Sequence, residues 1–226
     1  MKLLLVLPPS PFLIDDRVFV YLGPLQIAAV AREAGCEVDV VDLTGHARRC
    51  QESTHNGCLE RECRTRLLDA VAWKRPDLVG FYALYAQMPY VVHLRAALRE
   101  AEPDLPAVLG GPHANTSPEE CQRHGFDWVV VADQGGGGGE EGFLALLDAL
   151  RGGANGVPGI VHVPSRPPGV VYDRGAYIND RWPYPARDLV DLSAYRYEIA
   201  GRRAASIVPQ SGCPFACSFC NHWGGY

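Results

Sequence analysis

Apolar residues in the first 150 positions follow two patterns, short continuous runs and longer stretches with helical spacing. The short runs are rich in Leu and Val and are bounded by turn residues, which is typical of strands covered on both faces of a parallel sheet. These runs predict five strands, at 2–7, 37–42, 77–81, 107–109 and 128–131.

The stretches with helical spacing lie between these runs. Gly35 follows the first stretch and Pro76 follows the second, and both residue types end helices. Ser117 and Pro118 mark a further helix start, with Ser at the N-cap and Pro at the first helical position. The predicted helices lie at 22–34, 59–74, 90–101, from 118 onward, and at 140–150.

Five strands with intervening helices predict an α/β fold that is flavodoxin-like (Rossmann-like). The expected sheet is parallel, with right-handed crossovers and the strand order 2-1-3-4-5. Ligands of such sheets bind beyond the carboxyl ends of the strands, at the switch point between strands one and three. The loops at that edge are 8–17, 82–89, 110–116 and 132–140.

The pattern changes after residue 152, where Pro and Gly become frequent. The segments 159–163 and 170–172 suggest a small hairpin. Residues 181–195 show little periodicity and are interpreted as a packed linker. A short apolar run at 204–208 predicts another strand, which leads into a loop with three cysteines.

Composition and charge narrow the function classes. The 226 residues are 47% hydrophobic and 21% charged, as in ordinary globular proteins. A net charge of -5 without a basic patch argues against nucleic-acid binding. No apolar run has the roughly 18 residues of a membrane span. We therefore expect a cytoplasmic protein with reduced thiols, whose eight cysteines are core residues or metal ligands.

The loop with three cysteines is the strongest chemical signal. Cys213, Cys217 and Cys220 have the spacing C-x3-C-x2-C. Soft thiolates favour iron–sulfur clusters or zinc. In a four-iron cluster, three protein ligands leave one iron open to a chelating molecule. A zinc site that adds His222 is the alternative, and unliganded thiols are a third interpretation.

The same loop resembles the signature of radical S-adenosylmethionine (SAM) enzymes, in which an aromatic residue, here Phe219, precedes the third cysteine. The resemblance implies that Cys213, Cys217 and Cys220 hold a [4Fe-4S] cluster whose open iron binds SAM. It also implies an external electron donor such as flavodoxin or ferredoxin. The surrounding motif is similar to the subgroup with an N-terminal cobalamin-binding domain, with Ser211 at a position that is often Arg.

Membership of that subgroup implies cobalamin contacts at the carboxyl edge of the sheet. Paired glycines follow strand four, as in the family, and adjacent glycines let the backbone approach a bulky ligand. Taken alone, a tight turn without a ligand role explains them equally well, but their position at the predicted ligand edge favours binding. Tyr82-Ala83-Leu84 stands where the family often has Ser-x-Leu. The expected contact residues are Tyr82, Leu84, Gly110, Gly111 and His113.

Two family features differ in this chain. Many cobalamin proteins place a cobalt-ligating His after strand one, but the loop 8–17 contains Asp15 and Asp16 and no His. We therefore expect that the tail base is displaced from cobalt and that no protein His replaces it. The turn after strand five contains five consecutive glycines, followed by Glu140 and Glu141. These acids suit a helix N-terminus.

The resemblance divides the chain into a cobalamin-binding-like domain (1–152), a linker with a small hairpin (153–203) and the incomplete start of a radical SAM barrel (204–226). Only six residues follow Cys220, so we expect a truncated chain that binds cobalamin without turnover. The implied activity is methyl transfer or a related radical reaction. A corrinoid-binding module without catalysis and a zinc-stabilised α/β module are the alternatives.

Overall fold

The computed structural model describes residues 1–45, 57–131, 139–152, 159–162 and 182–208. Its main element is a six-stranded sheet in the order β2-β1-β3-β4-β5-β6, with every neighbouring pair parallel. The strands are β1 (Lys2–Leu7), β2 (Glu37–Asp42), β3 (Leu78–Tyr82), β4 (Ala107–Gly110), β5 (Trp128–Val131) and β6 (Gly159–His162). The predicted order of the first five strands is confirmed.

The sixth strand corrects one prediction. Residues 159–163 were expected to form half of a hairpin, but β6 pairs in parallel with β5, with Val129 opposite Ile160. The apolar run therefore completes the open edge of the main sheet. Residues 170–172, the other half of the predicted hairpin, lie outside the described residues.

In the described residues, six α-helices connect or flank the strands: α1 (Leu22–Glu33), α2 (Cys58–Lys74), α3 (Met88–Ala101), α4 (Pro112–Thr116), α5 (Pro118–Arg123) and α6 (Gly139–Arg151). The predicted helices are confirmed to within a few residues. The five-residue α4 was not predicted. No helix in the described ranges has the length and apolar content that crossing a bilayer requires.

Both faces of the sheet are covered, which explains the continuous apolar runs. Successive strand residues point to opposite faces. Leu3 and Leu5 pack in one core cluster with residues of α1 and α6. Leu4 and Val6 pack in the other, with residues of α2 and α3. The four leucine and valine side chains are at most 5% exposed.

The segment after the sheet packs back onto α1. The backbone N–H of Ala186 donates to the carbonyl of Leu25 at 2.9 Å, and the Gln26 amide donates to the carbonyl of Pro183 at 2.8 Å. This agrees with the prediction of a packed linker over 181–195, from residue 182 onward. The segment from residue 182 therefore lies against α1, the helix that begins at the carboxyl edge of the sheet.

The strand predicted at 204–208 is wrong, because these residues have no strand pairing in the described structure. A two-residue antiparallel pair lies just before them instead, formed by β7 (Glu198–Ile199) and β8 (Arg202–Arg203). Ile207 is 74% exposed, so the apolar pattern there does not reflect burial in the described structure.

Candidate functional site

A cavity of about 200 Å³ lies at the carboxyl edge of the sheet, between α1 and α6. The ends of β1, β3 and β4 contribute Val6, Tyr82 and Gly110. Ile27 of α1 and Phe143 of α6 form apolar walls. The strand order reverses between β1 and β3, so the cavity lies at the edge where such sheets bind ligands.

The paired glycines have different roles in this site. A Cβ on Gly110 would meet no atom within 4 Å, so this position opens onto free space at the cavity. Gly111 has φ of 101°, and a Cβ there would lie 3.0 Å from both the backbone N and O of Ala83. The turn therefore requires Gly111, whereas Gly110 leaves room that a ligand can fill.

Tyr82 forms the wall beside this turn. Its ring lies 5.7 Å from the ring of Tyr21, measured between centroids. A Cβ on Gly23, at the start of α1, would lie 3.6 Å from the Tyr82 ring. Burial raises the pKa of Tyr82 to about 12, and the neighbouring Tyr21 adds to the effect. The phenol therefore stays neutral and can donate or accept a hydrogen bond.

Two further polar side chains line the cavity. Asn115 comes from α4 and Glu140 from the first turn of α6. Burial raises the pKa of Glu140, a bond to its own backbone N–H lowers it, and nearby Glu141 raises it. Sequence analysis assigned Glu140 only to the helix N-terminus and did not single out Asn115. The available signal was their position on the predicted edge loops 110–116 and 132–140.

Leu84 and His113, two predicted contact residues, are not among the described residues that line the cavity. His113 is 3% exposed and packs against Tyr85, with ring centroids 5.5 Å apart. Its Nε2 lies 3.9 Å from a carboxylate oxygen of Glu120 and has no hydrogen bond within the described part of the chain. Tyr82, Gly110 and Gly111 therefore come together, and ligand contacts by Leu84 and His113 stay predictions.

The loop after β1 is tied to the loop after β3. The Gln87 amide donates to Ser10 Oγ at 2.7 Å, and its carbonyl oxygen accepts from the N–H of Leu84 at 2.9 Å. Ser10 Oγ also lies 2.6 Å from the hydroxyl of Tyr21. Ser10 and Gln87 are fully buried. These bonds fix both edge loops relative to the wall formed by Tyr21 and Tyr82.

Cys213, Cys217 and Cys220 lie outside the described residues, as does His222. Their predicted cluster therefore stays a prediction. Within the described ranges, no group of three His, Cys, Asp or Glu side chains is arranged to hold a metal ion.

The B12 binding domain model matches residues 19–146, more than half of the chain. The chain belongs to this family of cobalamin-binding domains. The matched range includes the cavity-lining parts of α1, β3, β4, β5 and α6. The predicted fold class and the predicted cobalamin-binding domain are therefore confirmed.

Several curated proteins are similar to this member of the B12-binding family. The hopanoid C-3 methylase of Methylococcus capsulatus is 32% identical, over 96% of this chain and 39% of its own length. An uncharacterized methyltransferase of Pyrococcus horikoshii is 28% identical, over 98% and 45%. The anaerobic magnesium-protoporphyrin IX monomethyl ester cyclase of Rubrivivax gelatinosus is 27% identical, over 66% and 27%. The chain spans less than half the length of these relatives.

A solved structure of a cobalamin-binding protein from Desulfitobacterium hafniense is also similar. The TM-score is 0.44 at 17% identity, and the match covers 65% of this chain and 57% of the other.

Proposed function

We propose that this chain holds cobalamin with the nucleotide tail of the cofactor in the cavity between α1 and α6, as the corrinoid-carrying part of a methyltransferase of the radical SAM type. The observation that carries the proposal is the open space at Gly110, on the carboxyl edge of a domain that belongs to the B12-binding family. A side chain at Gly110 would fill the space that the tail would use.

The lining residues fit one end of a large cofactor. A volume of about 200 Å³ is below the range of roughly 300–1,000 Å³ that is usual for pockets enclosing a whole drug-sized ligand. Ile27, Val108 and Phe143 offer an apolar slot for a flat aromatic base. Tyr82 and Glu140 offer hydrogen-bonding groups to the polar remainder of the tail.

Cobalamin would supply the carrier for a methyl group, a chemistry that side chains do not provide. The chain's own residues would bind and orient it. The loop 8–17 contains no His and so offers no imidazole to the metal. It presents apolar side chains instead, with Phe12 48% exposed and Ile14 97% exposed at the carboxyl edge. These side chains would exclude water from the face of the corrin that they cover.

The second half of the proposal concerns the loop with three cysteines. Cys213, Cys217 and Cys220 would hold a [4Fe-4S] cluster with SAM on the open iron, reduced by a flavodoxin or ferredoxin. Methyl transfer is favoured over ring closure, because the hopanoid methylase aligns with 96% of the chain and the cyclase with 66%. The proposal specifies the substrate only by its chemistry, as a molecule with a carbon centre that accepts a methyl group.

Retention of cobalamin after desalting tests the first half. The chain is mixed with hydroxocobalamin, desalted, and the bound corrinoid is measured by visible absorbance. We expect an equimolar amount on the native chain. Gly110→Leu should weaken binding because the leucine side chain occupies the space that the tail would use. We expect a loss of about tenfold or more, which corresponds to about 1.4 kcal/mol of binding free energy.

Ala96→Leu is the matched control, since Ala96 is an exposed residue of α3 away from the cavity. This variant should bind like the native chain. Circular dichroism checks that both variants fold. A native chain that retains no corrinoid, or Gly110→Leu binding that equals the native value, would refute the proposal.

A further inference from the structure

The segment 182–197, here called the strap, makes two separate sets of contacts with the domain. Its first half lies on α1, where Nη1 of Arg32 donates to both carboxylate oxygens of Asp188, at 3.0 Å to Oδ1 and 2.8 Å to Oδ2. Its second half ends at the loops after β1 and β2, where Tyr195 and Arg196 make their contacts. The second set joins the strap by hydrogen bonds to residues at the carboxyl edge of the sheet.

Arg196 binds the loop after β1 through its side chain and its backbone. The guanidinium donates to both oxygens of Asp15, with Nη2 to Oδ1 at 2.6 Å and Nε to Oδ2 at 2.8 Å. The backbone N–H of Arg196 donates to the carbonyl of Arg17 at 2.8 Å. A two-point pair of this kind fixes orientation as well as distance.

Tyr195 binds the last residue of β2 and the loop that follows it from a buried position, with 6% of the residue exposed. Its hydroxyl donates to Asp42 Oδ2 at 2.8 Å and lies 3.4 Å from Thr44 Oγ1. Burial raises the pKa of Tyr195 well above its ordinary value, and the negative charge of Asp42 raises it further. The hydroxyl therefore keeps its proton. Arg17 joins the loop after β1 to the loop after β2, because its Nε donates to the carbonyl of Thr44 at 3.1 Å.

A continuous set of contacts leads from these loops to the cavity wall. Asp16 follows Asp15 and accepts from the backbone N–H of Ser10 at 3.3 Å and from Gly45 at 2.8 Å. Ser10 Oγ lies 2.6 Å from the hydroxyl of Tyr21, whose ring packs against Tyr82. Tyr82 lines the cavity. The strap is therefore connected to the cavity through the loop that carries Phe12 and Ile14.

We infer that Tyr195 and Arg196 are positioning residues for the corrinoid: they hold the loop 8–17 in the arrangement that receives the cofactor. The inference rests on the proposed cobalamin binding. Thermodynamic reciprocity adds a second consequence, because a strap that strengthens corrinoid binding is itself held more firmly when the corrinoid is bound.

Paired variants separate positioning from general stability. Arg196→Gln breaks the two-point pair with Asp15. Arg32→Gln is the comparison, because it breaks another arginine–aspartate pair, made from Nη1 alone, with Asp188 on the same strap. Both arginines are partly exposed, at 55% and 38% of the side chain. Hydroxocobalamin affinity is titrated for each folded variant. We expect Arg196→Gln to weaken binding by about fivefold or more, the lower end of measured couplings between sites, with Arg32→Gln unchanged.

Tyr195→Phe and backbone exchange provide independent readouts. Tyr195→Phe deletes only the hydroxyl that reaches Asp42 and should also weaken corrinoid binding. In the native chain, hydroxocobalamin should slow hydrogen exchange at the Arg196 amide, and Arg196→Gln should abolish this protection.

The outcomes are distinguishable from those of the proposed function. If the native chain binds no corrinoid, the proposed function fails and takes this inference with it. If the native chain binds but Arg196→Gln equals the native affinity, the inference alone is overturned. Equal weakening by Arg196→Gln and Arg32→Gln also overturns it, because the strap then acts only through overall stability.

Discussion

A methyl group on Gly111 would stand 2.8 Å from the ring of Tyr82, so these two residues set the closest approach between the turns that follow β4 and β3. Backbone bonds secure the same approach, since Ala83 donates to the carbonyl of Gly110 at 3.1 Å and His113 donates to the carbonyl of Ala83 at 3.1 Å. The wall of the cavity at Tyr82 therefore depends on the lack of a side chain at Gly111, whose Cβ would point into Tyr82 and Ala83.

Gly111→Ala should destabilise the domain by about 1–3 kcal/mol, the usual cost of a strained backbone conformation, because φ is 101° and the new Cβ meets Ala83 and Tyr82. Urea unfolding measures the change. Gly110→Ala is the matched control and should cost less than about 1 kcal/mol, because its Cβ enters open space. Equal losses in the two variants would contradict the assignment of different roles.

A buried ion pair at the opposite edge of the sheet is expected to matter more for stability. Arg95 is 3% exposed, donates from Nε to the carbonyl of Gly125 at 2.8 Å and pairs with Asp127 at 3.2 Å. Asp127 also accepts from the backbone N–H of Ala107, at the start of β4. Desolvation lowers the pKa of Arg95, and Asp127 opposes that effect.

Asp127→Ala should therefore cost about 3 kcal/mol, since it leaves the Arg95 charge buried without its carboxylate. The partly exposed position of Asp127 places the loss at the lower end of the range for such pairs. Glu62→Ala is the comparison, because it breaks an exposed pair with Arg66 on α2 and should cost about 0.5 kcal/mol or less. Urea unfolding of both variants tests the difference, and a small loss in Asp127→Ala would argue against the pair.

Much of this architecture follows from the sequence. The β1 pattern of Leu and Val predicts a doubly covered strand, and the structure buries alternate residues on opposite faces. The strand order predicts that the cavity lies at the carboxyl edge of the sheet, and the paired glycines predict a tight turn at that edge. Such features depend on residues that are close in the sequence or on general rules of parallel sheets.

Other parts of the site depend on contacts between distant residues. Tyr195 reaches Asp42 across 153 positions and Arg196 reaches Asp15 across 181. Glu140 enters the cavity only because α6 packs beside α1. The pairing of β6 with β5 likewise depends on an open sheet edge that the local pattern at 159–163 does not reveal. Apolar periodicity carries no information about these partners, which explains why sequence analysis missed them.

Alkaline pH should reveal the buried phenol of Tyr82. The pKa rises from 10.0 in the unfolded chain to about 12 in the folded domain. Above pH 10 the unfolded chain therefore binds fewer protons than the folded one, so stability falls as the pH rises toward 12. One such group contributes at most about 1.4 kcal/mol per pH unit.

Tyr82→Phe should reduce this alkaline loss, because the variant has no proton to release at that position. The free energy of unfolding is compared for the native chain and the variant at neutral pH and between pH 10 and 12. Tyr21 and Tyr195 remain in both proteins, so the difference between the two pH profiles reports Tyr82 together with its interaction with Tyr21. Identical profiles would show that the phenol is solvated.

The three cysteines of the C-x3-C-x2-C motif should bind an iron–sulfur cluster. Anaerobic reconstitution with iron and sulfide should give the native chain bound iron with an equal amount of inorganic sulfide. The triple variant Cys213→Ser, Cys217→Ser and Cys220→Ser should bind neither iron nor sulfide. Its cobalamin retention should be unchanged, because the cavity residues lie elsewhere in the sequence.

His222→Ala separates the cluster from the zinc alternative. A site of three thiolates and one imidazole would lose zinc in this variant, whereas a cluster with SAM on its open iron does not need the histidine. We expect His222→Ala to retain iron and sulfide at the native level. Zinc without sulfide in the native chain, lost in His222→Ala, would leave cobalamin binding intact and remove the radical chemistry from the proposal.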